Sequence, residues 1–291
     1  QKIMRKKNMV DQPLISVLMN CHNSDEFLEE SINSVYNQSY SNWEIIFYDN
    51  NSTDKSKKIA KSYDSKLKYF YTQKKISLGK ARHFASLEAT GKYLAFLDCD
   101  DIWYDNMLEE QLKILKKSSD NTAFVYSRTN LLDERSQIIK VINDYEMPEG
   151  YIFDNLVKEN FICFISVLVK KDKFFECGGF PLNYNHSTDY YIFLNMSYRY
   201  NVKFLDNVCC GYRKHKNNLS KLKYFDSAQE SIDVVSQYLN EKSAQIGINY
   251  HYVNLSIAYF KQRKILNGFK IILEKKILFL FVRKFFLKLY L

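Results

Sequence analysis

The sequence predicts an α/β protein: a mostly parallel sheet flanked by helices, followed by a C-terminal helical tail rich in basic and aromatic residues. Short β-rich apolar runs alternate with amphipathic segments over the first ~115 residues. Polar turns follow the carboxyl ends of those runs, where open α/β sheets take their ligands. With 291 residues, 46% of them hydrophobic and only 3 Pro and 8 Gly, the chain can bury a substantial core. That composition excludes disordered, collagen-like and disulfide-stapled classes. Aromatics reach 16%, so large flat side chains do much of the packing.

Leu14–Met19 reads as a buried strand ending at the polar turn Asn20-Cys21-His22-Asn23. Asn23 with Glu26 three residues on makes a capping-box-like helix start, and Leu28, Ile32 and Val35 recur on one face. The next strand, Trp43–Tyr48, stops at six polar residues, Asp49 to Asp54, after which Ile59, Ala60 and Tyr63 mark a second helix. Leu67–Tyr71 and Tyr93–Leu97 are two further strands, separated by a helix from Lys80 to Ala89 that Gly91 terminates.

Beyond Leu115 the alternation loosens. A strand is expected at Thr122–Tyr126, a hairpin through Leu132–Val141 turning near Asp133-Glu134-Arg135, a strand at Ile165–Val169, a helix from Asp189 to Arg199 and a strand at Val208–Tyr212. No internal repeat or low-complexity linker separates the halves, so they are expected to share one core.

Strand Tyr93–Leu97 delivers the chain into Asp98-Cys99-Asp100-Asp101. Strand alternation places Asp98 and Asp100 on one side, where two hard oxygen ligands suit Mg²⁺ or Mn²⁺ on a nucleotide's diphosphate. Helix capping by Asp101 or Asp105 ahead of Leu108, Leu112 and Leu115 is the competing reading, at about even odds on these residues alone. There is no Walker A sequence and no G-x-G-x-x-G, and the Cys and His spacings do not suit zinc.

The formal charge of +9 is concentrated at the two ends. Residues 261–291 carry nine basic residues against Glu274, residues 1–7 carry four, and the body between is slightly acidic. A face built for nucleic acid is therefore not expected. The six cysteines form no C-x-x-C pair and read as reduced and cytosolic. No secretory h-region precedes Asp11 and Pro13, and the longest apolar run, Ile277 to Val282, is far short of the ~20 residues that span a bilayer. On a helical wheel Lys270, Glu274, Lys284 and Lys288 cluster, while Lys275, Lys276 and Arg283 break the stripe. Such a basic-aromatic helix suits an anionic membrane surface, with packing on the catalytic body or on a sister subunit as the alternative.

Several blocks together resemble the family 2 glycosyltransferases with a GT-A, Rossmann-like fold. Ile15–Asn23 looks like the opening strand and turn, Asp49-Asn50-Asn51-Ser52-Thr53-Asp54 resembles the D-[DN]-x-S-x-D loop, and Leu78–Arg82 precedes Gly91–Asp101, similar to the D-x-D block. Gly178-Gly179-Phe180, Thr188-Asp189-Tyr190 and Tyr212–Ser220, similar to Y-R-x-H-x-x-N-x-S, follow in order. The resemblance implies inverting transfer of a sugar from a nucleoside diphosphate donor, with UDP expected, to a bacterial surface glycan such as capsule, O-antigen (lipopolysaccharide) or a lipid-linked oligosaccharide. It makes residues 11–220 the catalytic domain, with 11–117 holding the nucleotide sugar and 118–220 the acceptor, and leaves 221–291 as the helical tail.

By the same resemblance Asp189 is the general base, in place of an ordinary helix-capping Asp. Cys21, Asn23, Asp49, Lys80, Arg82, Asp98 and Arg213 are expected at the nucleotide sugar, and Asp98, Asp100 and His215 at a Mg²⁺ or Mn²⁺ ion. Thr188 stands where the family usually has an acidic residue, which implies altered acceptor binding or base tuning. Asn50 replaces the commoner second Asp. A sugar-phosphate nucleotidyltransferase is disfavoured because its Gly-rich opening loop is missing, and a silent membrane- or glycan-binding scaffold is the reading from another class. The expected site of action is cytoplasmic, peripheral on the inner face of the cytoplasmic membrane, with a homo-oligomer left open.

Overall fold

The structure, a computed structural model, describes residues 12–218 and 224–287, with side chains to 284. Ser220 of the Y-R-x-H-x-x-N-x-S block, Lys288, and the basic residues of 1–7 lie outside the described residues. One sheet of nine strands runs in the order β3-β2-β1-β4-β8-β6-β9-β5, with β7 pairing β6. The first four strands are β1 (Ile15–Cys21), β2 (Trp43–Asp49), β3 (Leu67–Tyr71) and β4 (Tyr93–Phe96), all parallel. Helices α1 (Asp25–Tyr36), α2 (Ser56–Ala60) and α3 (Leu78–Leu87) connect them.

The second half follows β5 (Ile102–Trp103) and α4 (Met107–Lys117). It holds the long β6 (Thr122–Leu132), its hairpin partner β7 (Ile138–Ile142), the short helix α5 (Phe153–Leu156), β8 (Val167–Lys170) and β9 (Asn201–Arg213). Between β8 and β9 lie α6 (Lys171–Glu176) and α7 (Thr188–Arg199). β9 runs parallel to β6, whereas β5, β7 and β8 are antiparallel to their neighbours. The expected mostly parallel sheet is therefore present, with three antiparallel strands in its second half.

β1 and β2 are apolar along most of their length because helices cover both faces of a parallel sheet. On one face Leu18, Ile46, Phe96 and Phe124 pack with Ala81 of α3 and Phe193 of α7; on the other Val17, Met19 and Phe47 pack with Leu28 of α1 and Leu112 of α4. The β1–β2 register pairs Cys21 with Asp49, and β1–β4 pairs Leu18 with Phe96, so the carboxyl ends of the three strands gather at one edge.

Local details differ from expectation. The capping box at Asn23 does not form: Asn23 has φ +53° and its Oδ1 accepts from the Thr53 N–H at 2.8 Å, stitching two loops together, while α1 starts after Ser24. Helix α3 begins two residues early because the Ser77 Oγ accepts from the Lys80 N–H. Ile165 lies in a 3₁₀ turn (Phe164–Ser166) that leads into β8. Neither Asp101 nor Asp105 caps α4, whose N-cap is Asn106.

The tail is four helices, α8 (Tyr224–Ser236), α9 (Lys242–Lys261), α10 (Ile265–Glu274) and α11 (Leu278–Leu287). A single wheel over 269–291 does not describe it, because left-handed residues Arg263 (φ +60°) and Lys276 (φ +52°) break the chain between the last three. α9 packs on the body: the His251 Nε2 lies 3.0 Å from the Tyr190 hydroxyl and 3.0 Å from the Val157 carbonyl, and burial pushes its pKa down to about 4. Among the described residues no helix is long and apolar enough to cross a membrane.

Candidate active site

The site forms where β1, β2 and β4 end. The chain leaves the extended conformation at Phe96, and the Asp101 N–H donates to the Asp98 carbonyl at 3.2 Å, so Asp98 to Asp101 form a turn and not a continued strand. Strand alternation therefore does not set their directions. Each carboxylate instead meets its own partner: Asp98 Oδ1 accepts from Arg82 Nη2 at 2.9 Å, Asp100 Oδ2 lies 2.8 Å from His215 Nε2, and Asp101 Oδ1 accepts from the Arg213 backbone N–H at 2.7 Å.

Arg82 comes from α3, where its guanidinium lies 3.7 Å above the Phe164 ring and its Nη1 donates to the Thr188 hydroxyl at 2.6 Å. This gives Thr188 a role: it accepts from the arginine without adding a negative charge. Next along α7 stands Asp189, whose Oδ2 accepts from the Asn160 side chain at 3.0 Å. Desolvation raises the pKa of Asp189, opposed by the Arg82 charge. Desolvation also raises that of Asp98, with the charges of Asp100 and Asp189 adding and Arg82 opposing. Burial drives Asp101 well up, and its Oδ2 has no partner among the described residues. The hydrogen bond to Asp100 raises His215.

At the end of β2 Asp49 is held by the Ser52 N–H at 2.7 Å and the Tyr69 hydroxyl at 2.6 Å. Cys21 is buried, with its sulfur 3.7 Å from the Ser52 hydroxyl, and hydrogen bonding from Cys99 lowers its pKa against desolvation. Asn50 both donates to the Ile76 carbonyl and accepts from the Ile76 N–H, each at 2.9 Å, an exchange that an ionised Asp cannot make. Lys80 is exposed on the first turn of α3, its ammonium 5.7 Å from the Phe84 ring.

Two expectations need correcting in geometry. Asp98, Asp100 and His215 do not form one cluster, because Asp98 is committed to Arg82; among the described residues no three acidic, imidazole or thiol groups gather into a metal cage. Arg213 is fully buried, with Nε donating to the Asp100 carbonyl at 2.8 Å, Nη1 to the Ser136 hydroxyl at 2.7 Å and Nη2 to the Glu30 carboxylate at 2.7 Å. Its side chain faces protein partners, which leaves none of these donors for a diphosphate. The donor set still fits a hard divalent ion: Asp100 and His215 meet at the cleft, about a third of the Asp100 side chain remaining open (29%), and phosphate oxygens complete such shells.

Sequence reasoning missed Tyr69, Asn160, Phe164, Glu30 and Ser136. Tyr69 was accessible in principle, since parallel pairing of Leu67–Tyr71 with Ile45–Asp49 sets it beside Phe47, two residues before Asp49. The others sit far along the chain from their partners, at no motif spacing.

The model of glycosyl transferase family 2 matches residues 16–218. The UDP-Glc:alpha-D-GlcNAc-diphosphoundecaprenol beta-1,3-glucosyltransferase WfgD of Escherichia coli is 27% identical over 251 residues, 85% of this chain and 95% of that protein. S. aureus TarS 1–349 in complex with UDP-GlcNAc superposes with a TM-score of 0.62 at 16% identity, over 87% of this chain and 72% of that one. The mannosyltransferase PcManGT of Pyrobaculum calidifontis, in complex with GDP-Man and Mn²⁺, gives 0.63 at 16% identity, over 91% and 81%. At that identity the two structures speak for the GT-A fold alone. The family match covers every residue of the cleft just described, and the chain belongs to glycosyl transferase family 2, a glycosyltransferase of the GT-A fold.

Proposed function

We propose that the chain transfers a sugar from a UDP-sugar to a hydroxyl of a lipid-linked surface-glycan acceptor with inversion, working peripherally at the inner face of the cytoplasmic membrane. The observation that supports this reading is the Asp98–Arg82–Thr188 bridge, by which one guanidinium joins the turn after β4 to the residue next to Asp189. Residues 11–117 hold the donor and 118–220 the acceptor, with 221–291 as an accessory tail.

The acceptor hydroxyl loses its proton to the Asp189 carboxylate as its oxygen bonds to the anomeric carbon, and the bond from that carbon to the diphosphate breaks on the opposite side. Asn160 fixes which Asp189 oxygen faces the acceptor, and desolvation makes that carboxylate the stronger base. Asp49, braced by Tyr69 and Ser52, is placed to accept from the nucleobase, with Cys21 and Asn23 shaping the same floor. Lys80, exposed on the first turn of α3, supplies positive charge toward the donor's diphosphate, while the amides of that turn are already bonded to Ser77, Tyr184 and Asn185. Asp100 and His215 would hold Mg²⁺ or Mn²⁺, whose charge would stabilise the departing diphosphate. WfgD supports the choice of UDP and of a polyprenyl-diphosphate-linked acceptor, and PcManGT supports a divalent ion.

The test is the melting temperature with UDP, dTDP, GDP and CDP, with and without Mn²⁺, for the native chain and Asp100→Ala. A metal-dependent rise with UDP, absent in the variant, is expected by mass action. No rise with any nucleotide would overturn the reading.

A further inference from the structure

An uncovered apolar surface lies on the last two helices. Each has a narrow inner row. A methyl group added to Gly268 would lie 2.6 Å from the Phe260 ring, and Ile272 and Ile277 are buried with Val253. The outer rows are bare. Leu266, Phe269 and Leu273, spaced along one face of α10, are 84%, 52% and 71% exposed; Leu278, Phe279 and Val282 of α11 are 58%, 82% and 40% exposed. Scattered exposed leucines are ordinary, but two adjoining rows mark an interaction surface.

Charge selects the occupant. Arg263, Lys264, Lys270, Lys275, Lys276 and Arg283 stand exposed around these rows, and Glu274 is the one acidic residue from 261 to 291. A second copy of this face would meet its own positive charge, whereas an anionic lipid surface supplies the opposite charge and an apolar layer below it.

The same helices touch the catalytic side. The Lys284 ammonium lies 3.9 Å from the Glu159 carboxylate, and the next residue, Asn160, holds Asp189. In α9, Gly247 abuts the Val157 carbonyl, where an added Cβ would stand 2.5 Å away. The tail thus braces the segment that presents Asn160.

We propose that the outer faces of α10 and α11 seat in the headgroup layer of an anionic membrane, and that this seat sets the Asn160–Asp189 side of the cleft toward the bilayer. The orientation rests on the lipid-linked acceptor proposed above; the binding itself does not. The full chain is sedimented with vesicles of phosphatidylcholine alone and of phosphatidylcholine mixed with phosphatidylglycerol. Binding to the mixed vesicles only, weakened by salt and reduced about tenfold or more in Leu266→Glu/Phe279→Glu, is expected. Both positions are exposed, and the UDP-induced melting shift checks that the variant retains its donor site. Equal binding by the variant, or salt-insensitive binding to phosphatidylcholine alone, would overturn the proposal. So would native self-association that the variant loses, which would assign the rows to a copy-to-copy contact. Native vesicle binding without a nucleotide shift would sink the transferase reading and leave the membrane surface standing.

Discussion

Arg82 donates to the Asp98 carboxylate at 2.9 Å while its other terminal nitrogen reaches Thr188, so one guanidinium ties the turn after β4 to the first turn of α7. A planar fork with two separate donors can do this; a single ammonium cannot hold both partners in the same geometry. Arg82→Lys is expected to lower kcat/KM by about tenfold to a hundredfold, in steady-state assays with saturating metal.

As the proposed base, Asp189 has to be ionised to take a proton. Burial raises its pKa above the ordinary 3.8, so the acid limb of kcat/KM is expected to rise through a midpoint above that value. Below the midpoint the protonated acid predominates and transfer fails; above it the carboxylate is available. Asp189→Asn should remove this limb and cut kcat by about 10² to 10⁴ while leaving the UDP melting shift in place. A pH–rate profile of both proteins checks it.

Arg213 is a buried cation facing a carboxylate, Glu30, with which it shares Ser136. Arg213→Met leaves the Asp100 carbonyl without its donor, while Glu30, about half open to solvent (47%), keeps the Ser136 hydroxyl, and a loss of about 1.5–3 kcal/mol in urea unfolding is expected. Because the same side chain grips Asp100 from behind, the Mn²⁺-dependent part of the UDP shift should fall as well.

Glu44 is buried in β2, its Oε1 accepting from Ser16 and from both the N–H and hydroxyl of Thr90, its Oε2 from Lys68. Desolvation works against the charge, yet these hydrogen bonds hold the pKa down to about 2 from an ordinary 4.5. A lowered carboxyl pKa stabilises the fold fully above the unfolded value, and the stabilisation is lost as pH falls from about 4.5 through about 2. Glu44→Gln is expected to cost roughly 1.5–3 kcal/mol at neutral pH and to flatten the decline in that window, measured by urea unfolding at several pH values.

The first half was legible because its strands are continuous apolar runs closed by polar turns, and pattern and register point the same way; β1 to β4 begin within a residue of where the sequence places them. The role proposed for Asp189 comes from the family pattern alone, since nothing in its spacing distinguishes a base from a cap. What stayed hidden were partnerships that only tertiary packing creates. Arg213 reads as a cation in a basic loop, yet Glu30 and Ser136, from a helix and a hairpin turn far away, enclose it. The tail misled for the opposite reason: its residues fit a helix well, but local left-handed breaks at Arg263 and Lys276 divide it.

β8 lies between β4 and β6 and hydrogen-bonds both, although it follows β6 in the chain by some thirty-five residues. Until residue 170 has left the ribosome, the edges of β4 and β6 that β8 will occupy stay unpaired, and no continuous sheet can join the first four strands to β6. A nascent chain released before that point would hold β1 to β4 beside an open seam, which only the arrival of this central strand closes.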